Sequence, residues 1–249
     1  MSQPPPQSSF TAAYVLVDRA RHSEESNQAE AAGLFRLVPM RPGERLLDAC
    51  CGYGRHLLHF ARLGLQVTGV ERSRSLFKEA LATLEAAASR VQLECLPLQE
   101  MTYRRQFHHA VLLNNSFGFG ATAEEDVRVL RVLREALTAR GHLVLDLSNP
   151  NHGEPWKDTR RVLKLPDMFV EEERKYLPLY DMWVVKQAVY RGSWKGEWQM
   201  VVRRYDHAAL TNLVRACGFE LEHTWSNFEG ALFTGSEERM ILSCRAVPE

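Results

Sequence analysis

Residues 46–56, with the sequence LLDACCGYGRH, combine residue types that suit the binding of a ligand. The apolar start of this segment predicts a buried strand that ends near Asp48, and a helix is predicted to begin near Gly54. Sheets of parallel strands bind ligands at the carboxyl ends of their strands, where Asp48 would lie. Gly52 and Gly54 would let the loop backbone approach a ligand that side chains would block. The segment therefore predicts a ligand-binding loop.

A second acidic residue, Glu71, ends the next predicted strand. A carboxylate has enough lone pairs to accept hydrogen bonds from both hydroxyls of a ribose. Together with the glycine loop, it predicts a cofactor that contains a nucleoside. A dinucleotide loop has the spacing G-x-G-x-x-G, but Leu57 occupies the third glycine position and Cys50 lies two residues before Gly52. The match to a dinucleotide site is therefore poor.

The first 150 residues alternate between strand and helix patterns, which predicts a parallel sheet with helices on both faces. Strands are predicted at 45–51, 65–71, 91–98, 109–115 and 142–148, and helices at 24–38, 54–64, 73–90 and 122–140. Thr122 and Glu125 predict a capping box at the start of the last helix, and Gly141 predicts its end.

The pattern changes after Asn149, where three strand-like stretches follow one another without a helix between them. These stretches are 168–176, 180–190 and 197–205. Residues 150–205 are therefore predicted to form an antiparallel insertion. A predicted helix from Asp206 to Gly218 and strands at 219–228 and 238–246 then resume the α/β order.

The composition argues against several classes of protein. Lysine plus arginine and aspartate plus glutamate both number 31, whereas a dedicated nucleic-acid binder has a basic excess. The five cysteines include no C-x-x-C pair, which argues against a metal site and against disulfides, and favours a reducing cytoplasm. No signal peptide and no apolar run of membrane-spanning length is found, so no membrane partner is expected.

Four segments together resemble the class I S-adenosylmethionine-dependent methyltransferases. DACCGYG at 48–54 resembles the family's motif I, D-x-G-x-G-x-G, and VTGVERS at 67–73 resembles its second strand with the ribose-binding acid. LNNSFG at 113–118 and RGHLVLD at 140–146 are similar to its fourth-strand and fifth-strand motifs. The departures are Cys50, where glycine is usual, and Glu71, where aspartate is also common.

This resemblance covers most of the chain and implies a fold and an activity. The implied fold is Rossmann-like and doubly wound, with a mostly parallel seven-stranded sheet and an antiparallel insertion after the fifth strand. Residues 1–10 are expected to be a disordered tail, 11–249 the methyltransferase domain, and 150–205 a lid or substrate subdomain within it. The implied activity is methyl transfer from S-adenosylmethionine to an N, O or C atom of a small-molecule acceptor.

The resemblance also assigns cofactor roles to individual residues. Asp48 would hold the methionine amino group, and Glu71 would bind the ribose. The remaining cofactor candidates flank the methionine part (Gly52, Gly54), lie near the adenine (Leu98, Gln99), line the methyl region (Asn114, Asn115), close over the cofactor (Tyr14) or neighbour these groups (Cys50, Arg72).

The acceptor side is less defined by sequence. His56 is a candidate base, with a structural histidine as an equal alternative, and Tyr180, Arg203 and Arg204 are candidate acceptor contacts. Trp183, Trp194 and Trp198 would line the acceptor pocket or pack the insertion onto the main domain. The alternative to an acceptor role for 150–205 is a stabilising flap or an oligomer contact. Whether a general base is used, and the oligomeric state, are left open.

Two other functions are compatible with the same residues. One is an RNA methyltransferase, against which the neutral charge argues. The other is a protein that binds S-adenosylmethionine without turning it over. A nicotinamide dehydrogenase is less favoured than both, because the glycine loop matches the dinucleotide-binding spacing poorly.

Overall fold

The computed structural model describes residues 6–84, 91–152 and 158–248, which form two sheets and six α-helices. The helices are α1 Ala12–Arg21, α2 Glu24–Leu37, α3 Leu57–Arg62, α4 Arg74–Leu84, α5 Ala123–Ala136 and α6 His207–Ala216. The strands are β1 Arg45–Ala49, β2 Gln66–Val70, β3 Val91–Glu94, β4 Phe107–Leu112, β5 Leu137–Ser148, β6 Thr159–Leu165, β7 Met168–Leu177, β8 Met182–Arg191, β9 Trp194–Arg203, β10 Phe219–Trp225 and β11 Arg239–Ala246. None of the helices in these ranges is long and apolar enough to cross a bilayer.

The larger sheet has seven strands in the order β10-β11-β5-β4-β1-β2-β3. Its first five strands in the chain run parallel, and β11 lies antiparallel between β10 and β5. The predicted fold class is confirmed. The chain leaves β1 toward β2 on one side and later returns to β4 on the other, so the strand order reverses between β1 and β4. Ligands bind at such a reversal.

Both faces of this sheet are covered, which explains why its strands are almost continuously apolar. Leu46 and Leu47 are neighbours in β1, and both are fully buried. Because successive side chains of a strand point to opposite faces, Leu46 packs with α2 and α3 around Phe60, whereas Leu47 belongs to the cluster around Leu130 of α5.

Helix α5 begins as predicted but ends early. The Thr122 hydroxyl accepts a hydrogen bond from the Glu125 amide at 3.4 Å, which caps the helix. The helix ends at Ala136 rather than at 140, because the carbonyls of Glu135 and Ala136 accept hydrogen bonds from the loop before β4. β5 starts directly afterwards, so Gly141 lies within a strand. Of the helix predicted at 73–90, residues 85–90 lie outside the described ranges.

The prediction of a disordered tail at 1–10 is wrong for residues 6–10, and residues 1–5 lie outside the described ranges. Ser9 exchanges two backbone hydrogen bonds with Gln199 of β9, at 2.7 and 2.9 Å. Helix α1, which the sequence patterns did not reveal, follows with Thr11 as its cap. Its buried residues Ala13 and Val17 pack on the smaller sheet.

The insertion forms this smaller, antiparallel sheet in the order β6-β7-β8-β9. It has one strand more than predicted: β6 pairs with β7 from Thr159 to Leu165. The pattern of β6 is weak because its sequence, TRRVLKL, is largely charged and exposed. Such charges are common on edge strands, which must avoid pairing with other chains.

A buried carboxylate connects the two sheets. Asp126 of α5 is 1% exposed and accepts hydrogen bonds from Arg203 Nε at 3.1 Å and from the Tyr205 hydroxyl at 2.8 Å. Arg203 Nη1 also donates to the Tyr180 carbonyl at 2.6 Å, and the Arg203 amide donates to Gly118. These hydrogen bonds hold the carboxyl end of the insertion against the main domain.

Replacing Arg203 with alanine should lower the free energy of unfolding by about 3–5 kcal/mol, because the buried Asp126 carboxylate loses its charged partner. The matched control is Arg204→Ala. Arg204 is half-exposed and lies 3.6 Å from the exposed Asp181, and such surface pairs contribute about 1 kcal/mol or less. Urea unfolding of both variants measures the difference, and equal losses would contradict the fastening role of Arg203.

Candidate functional site

A cavity of about 250 Å³ lies at the carboxyl edge of β1, β2, β4 and β5. Helix α1 and the inner face of the smaller sheet form its other walls. The cavity therefore coincides with the reversal of strand order, where the sequence predicts a ligand. Side chains from three distant parts of the chain meet there.

The loop after β1 presents its backbone to this cavity. Cys50 and Gly52 adopt left-handed conformations, with φ of 66° and 60°, and both line the cavity. A Cβ atom placed on Gly52 would meet no atom within 4 Å, so it would project into open space. The backbone of Gly52 is therefore accessible from the cavity.

Gly54, also in the loop after β1, lies against protein side chains. Its Cβ would lie 3.2 Å from Leu57 and 3.4 Å from Ala80, and Gly54 does not line the cavity. The residue instead lets the start of α3 pack closely against α4. The predicted position of Gly54 beside the ligand stays a prediction, and the contacts observed around this glycine are with protein.

Glu71 joins the ends of two strands. Its Oε2 accepts the Gly52 amide at 3.0 Å, and its Oε1 accepts the Ser73 amide at 2.7 Å. Burial raises the pKa of the Glu71 carboxyl, although these amide donors oppose the shift. Each oxygen of a carboxylate has two lone pairs, so Glu71 can still accept hydrogen bonds from a ligand.

Asp48 is a deeply buried carboxylate near the end of β1. It is 3% exposed, and no hydrogen bond to its carboxylate is found among the described residues. Burial raises its pKa to about 7; Arg55 opposes this shift, and Glu71 adds to it. A small polar cavity in front of Asp48 also contacts Asn114 and Tyr14. This carboxylate is therefore poised to receive a donor or a cation.

The two asparagines after β4 lie at the same edge. Both have φ near +60°, a conformation that asparagine tolerates better than most residues. The Asn114 amide donates to Asp146 Oδ2 at 2.8 Å, which leaves its side chain directed at Tyr14 and Asp18. Asn115 instead exchanges hydrogen bonds with Ser148, so its side chain holds the end of β4 to the end of β5.

Helix α1 contributes a tyrosine that was predicted and an aspartate that was not. Tyr14 lines the cavity, and its hydroxyl accepts from Asn114 Nδ2 at 3.4 Å. Asp18 lies one turn later, buried, and accepts a hydrogen bond from the Tyr53 hydroxyl at 2.9 Å. Asp18 is an acidic residue on the buried face of α1. Its departure from the amphipathic pattern would have marked it as a candidate only if α1 had been predicted.

A second pocket opens beside the first, on the other side of Cys50. Leu98 and Gln99, which follow β3, line it together with Phe117. Arg72 is exposed at its rim, with its guanidinium carbon 6.0 Å from the centre of the Phe119 ring.

Across the described ranges, no group of histidine, cysteine and acidic side chains is arranged to hold a metal ion.

His56 has a structural role, which was the alternative to its being a base. Its Nε2 lies 2.8 Å from Glu30 of α2, and the ring is 4% exposed. Burial lowers the pKa of His56 to about 4, despite the opposing effect of Glu30. Arg55 Nη1 is 3.0 Å from the same carboxylate. These contacts anchor α3 to α2, so His56 is not assigned to the acceptor.

The other acceptor candidates do not line the cavity either. Arg203 fastens the insertion, Arg204 lies near Asp181 on the surface, and Tyr180 packs with Met182 and Val201. The insertion reaches the cavity through other residues, on the inner face of its sheet: Glu172, Arg174, Val185, Gln187, Trp198 and Met200. Of the three tryptophans considered, only Trp198 lines the cavity. These positions follow from the two-residue alternation within β7, β8 and β9, once the strand registers are known.

Comparison with known proteins agrees with this geometry. A family model described as a methyltransferase domain matches residues 46–141. The CcbJ methyltransferase from Streptomyces caelestis superposes with a TM-score of 0.81 at 20% identity, over 93% of this chain and 96% of that one. CalS10, an amino pentose methyltransferase from Micromonospora echinaspora, superposes with a TM-score of 0.71 at 18% identity, over 98% and 100% of the two chains.

Sequence similarity to curated proteins extends over a shorter part of the chain. A 23S rRNA (uracil(1939)-C(5))-methyltransferase from Ralstonia nicotianae is 32% identical over 80 residues, which is 32% of this chain. The chain spans only 18% of the length of that relative. The methyltransferase-domain match covers residues 46–141, and the solved methyltransferases share the Rossmann-like fold of the whole chain.

Proposed function

We propose that the protein transfers the methyl group of S-adenosylmethionine to a small-molecule acceptor. One observation carries the proposal. The Glu71 carboxylate lies at the end of β2, accepts a hydrogen bond from the Gly52 amide, and can still accept hydrogen bonds from two hydroxyl groups. If Glu71 accepts hydrogen bonds from the ribose, the rest of the cofactor would meet the open backbone of Gly52 and the buried carboxylate of Asp48. A predicted cytoplasmic location is compatible with this function.

The donor groups of the site fit this cofactor. Asp48 provides a negative charge for the ammonium group of the methionine part, and the absence of a side chain at Gly52 leaves room for its backbone. Glu71 suits the ribose, and the apolar Leu98 and Phe117 in the second pocket suit the flat adenine ring. When bound, S-adenosylmethionine supplies a methyl group that is already activated by a sulfonium.

The protein's part in the reaction is then mainly positioning. An acceptor atom must approach the methyl group in line with its bond to sulfur, and near-attack placement of this kind contributes about 7–11 kcal/mol in favourable cases. Asn114 and Tyr14 lie where the two reactants would meet. Asp18, hydrogen-bonded to Asn114 and Tyr53, is the carboxylate placed to receive a proton from a protonated acceptor.

The walls of the cavity favour a small acceptor. Helix α1 and the smaller sheet cover the edge of the larger sheet, and four aromatic rings pack together above it. These rings are Phe10, Tyr14, Phe119 and Trp198. The neighbour CalS10 is named an amino pentose methyltransferase, which supports a compact polar acceptor here. Methyl transfer to RNA is less favoured, because the rRNA methyltransferase match covers only 32% of the chain and the net charge is zero.

The central experiment is a methyl-transfer assay with labelled S-adenosylmethionine and a metabolite extract. We expect label in molecules of low mass and none in added ribosomal RNA. Binding of S-adenosylhomocysteine with no transfer to any fraction would favour the non-catalytic binding protein, and label in RNA would favour the RNA methyltransferase.

Replacing Glu71 with alanine should weaken cofactor binding roughly ten- to hundredfold, because hydrogen bonds to an ionised group contribute about 1.5–3 kcal/mol. The same change removes the acceptor of two backbone amides and should cost about 1–3 kcal/mol in folding. Calorimetry and urea unfolding measure the two effects. The control is Glu100→Ala, at an exposed acid after β3; if both variants bind the cofactor like the unmodified protein, Glu71 has no part in binding.

The pKa of about 7 at Asp48 predicts that cofactor affinity depends on pH. The ionised form attracts the ammonium of the methionine part, so affinity should fall as the pH drops through about 7, by up to about tenfold per pH unit. Asp48→Asn should bind more weakly at pH 8 and show a flatter profile. Parallel profiles of the two proteins between pH 8 and pH 5.5 would show that Asp48 does not interact with the bound cofactor.

A further inference from the structure

Asp18, which is placed to receive a proton from the acceptor, is almost enclosed by protein. Its side chain is 8% exposed, on the buried face of α1. The Tyr53 hydroxyl donates to its Oδ2 at 2.9 Å, and Asn114 Nδ2 donates to its Oδ1 at 3.4 Å. A carboxylate that takes up a proton in each turnover must also lose one in each turnover. A neighbour of Asp18 is therefore needed to carry the proton outward.

His22 is the neighbour that can exchange a proton near neutral pH. It follows the last residue of α1, and its amide donates to the Asp18 carbonyl at 2.9 Å. This hydrogen bond brings the two side chains to the same side of the helix, where His22 Nε2 lies 3.6 Å from Asp18 Oδ1. A small rotation of the ring brings these atoms into hydrogen-bond range.

The two other side chains that contact the Asp18 carboxylate are poor proton carriers. The side-chain amide of Asn114 does not titrate. Burial raises the pKa of the Tyr53 hydroxyl, and the negative charge of Asp18 adds to this shift. Of the three, imidazole alone gains and loses a proton near neutral pH.

His22 also lies between two cavities. It lines the cavity at the carboxyl edge of the larger sheet, and it lines a second one of about 290 Å³. We call the second cavity the polar pocket; it is bounded by the end of α1, the start of α2 and the loop after β1. Arg19 and Glu24, both exposed, lie at its edge, whereas the His22 side chain is 20% exposed. Contact with solvent thus increases from Asp18 through His22 to the polar pocket.

The charges around His22 keep its ring neutral at neutral pH. Burial lowers the pKa of His22, and the cations Arg55, before α3, and Arg239 of β11 act in the same direction. The acids Asp18 and Glu30 of α2 oppose this shift. A neutral imidazole can accept a proton from a carboxylic acid, so the ring is in the form that proton transfer from Asp18 requires.

We propose that His22 is a proton relay, which takes from Asp18 the proton released in methyl transfer and delivers it to solvent in the polar pocket. This proposal rests on the proposed function, since it follows the proton of the same reaction. The acceptor's bond to hydrogen breaks, its electron pair stays on the acceptor atom, and the proton binds the Asp18 carboxylate. The O–H bond on Asp18 then breaks, an N–H bond forms at His22 Nε2, and the imidazolium releases a proton to solvent. Both side chains return to their starting charge.

The methyl-transfer assay with saturating labelled S-adenosylmethionine and a metabolite extract tests the relay. His22→Ala should lower the rate near neutral pH by about tenfold or more, because proton transfer by a side chain contributes about 10²–10⁴-fold. Added imidazole should restore much of the rate, since it can occupy the space that the side chain leaves. Affinity for S-adenosylhomocysteine should stay within about twofold. The matched control is His223→Ala, at an exposed histidine of β10, which should transfer at the unmodified rate with or without imidazole.

The pH profile gives a readout that a structural role of His22 would not change. With the cofactor saturating, so that the titration of Asp48 has no effect on binding, the unmodified rate should fall as the pH drops through the pKa of His22. A protonated ring cannot accept the proton. His22→Gln should shift this fall to a lower pH, and parallel profiles of the two proteins would overturn the relay.

Nuclear magnetic resonance of the histidine rings tests the pairing without any cofactor or acceptor. The titration midpoint of His22, identified by its loss in His22→Gln, should move to a lower pH in Asp18→Asn, because the imidazolium loses its negative partner. The midpoint of His223 should stay unchanged. An unchanged midpoint at His22 would show that the two groups are not coupled, and would overturn the relay.

The outcomes separate the relay from the proposed function. A normal rate in His22→Ala, or a loss that imidazole does not restore, overturns the relay and leaves methyl transfer intact. If His22→Ala does not bind S-adenosylhomocysteine, the pH profile of His22→Gln decides. Absence of transfer to any fraction by the unmodified protein contradicts the proposed function, and the relay is overturned with it.

Discussion

The site depends on one carboxylate that joins the ends of two neighbouring strands. Glu71 accepts the amides of Gly52 and Ser73, and so holds the loop after β1 against the start of α4. A buried charge is costly unless hydrogen bonds compensate it, which keeps the loop and the carboxylate together. Since each oxygen has a second lone pair, the group that shapes the loop also faces the cavity.

The opposite wall of the cavity comes from parts of the chain that are remote in sequence. Ser9 pairs with Gln199, so α1 and the smaller sheet form one unit. Arg203 ties that unit to Asp126 of the main domain. Binding groups are often carried on segments that a rigid scaffold positions, and here both walls are rigid strands or helices. These hydrogen bonds set the distance between the loop after β1 and the inner face of the smaller sheet.

Two acidic residues of this protein, Glu30 and Asp48, have opposite pKa shifts, and their partners differ. Burial raises the pKa of Glu30, but His56, Arg55 and Arg239 outweigh it and lower the value to about 2. Asp48 has only the distant charge of Arg55 to oppose burial, and its pKa rises to about 7. The first group is structural and permanently charged, whereas the second can respond to a ligand.

The positions of most strands along the chain, the loop at 48–54 and the acid at Glu71 could be predicted from sequence, because each is a local pattern of apolar runs, glycines and strand ends. The roles of His56, Arg203 and Gly54 could not. His56 is separated from Glu30 by 26 residues and Arg203 from Asp126 by 77, and only folding brings these partners together. The inner face of the smaller sheet was likewise decided by strand register, since a shift of one residue would turn Glu172 and Gln187 away from the cavity.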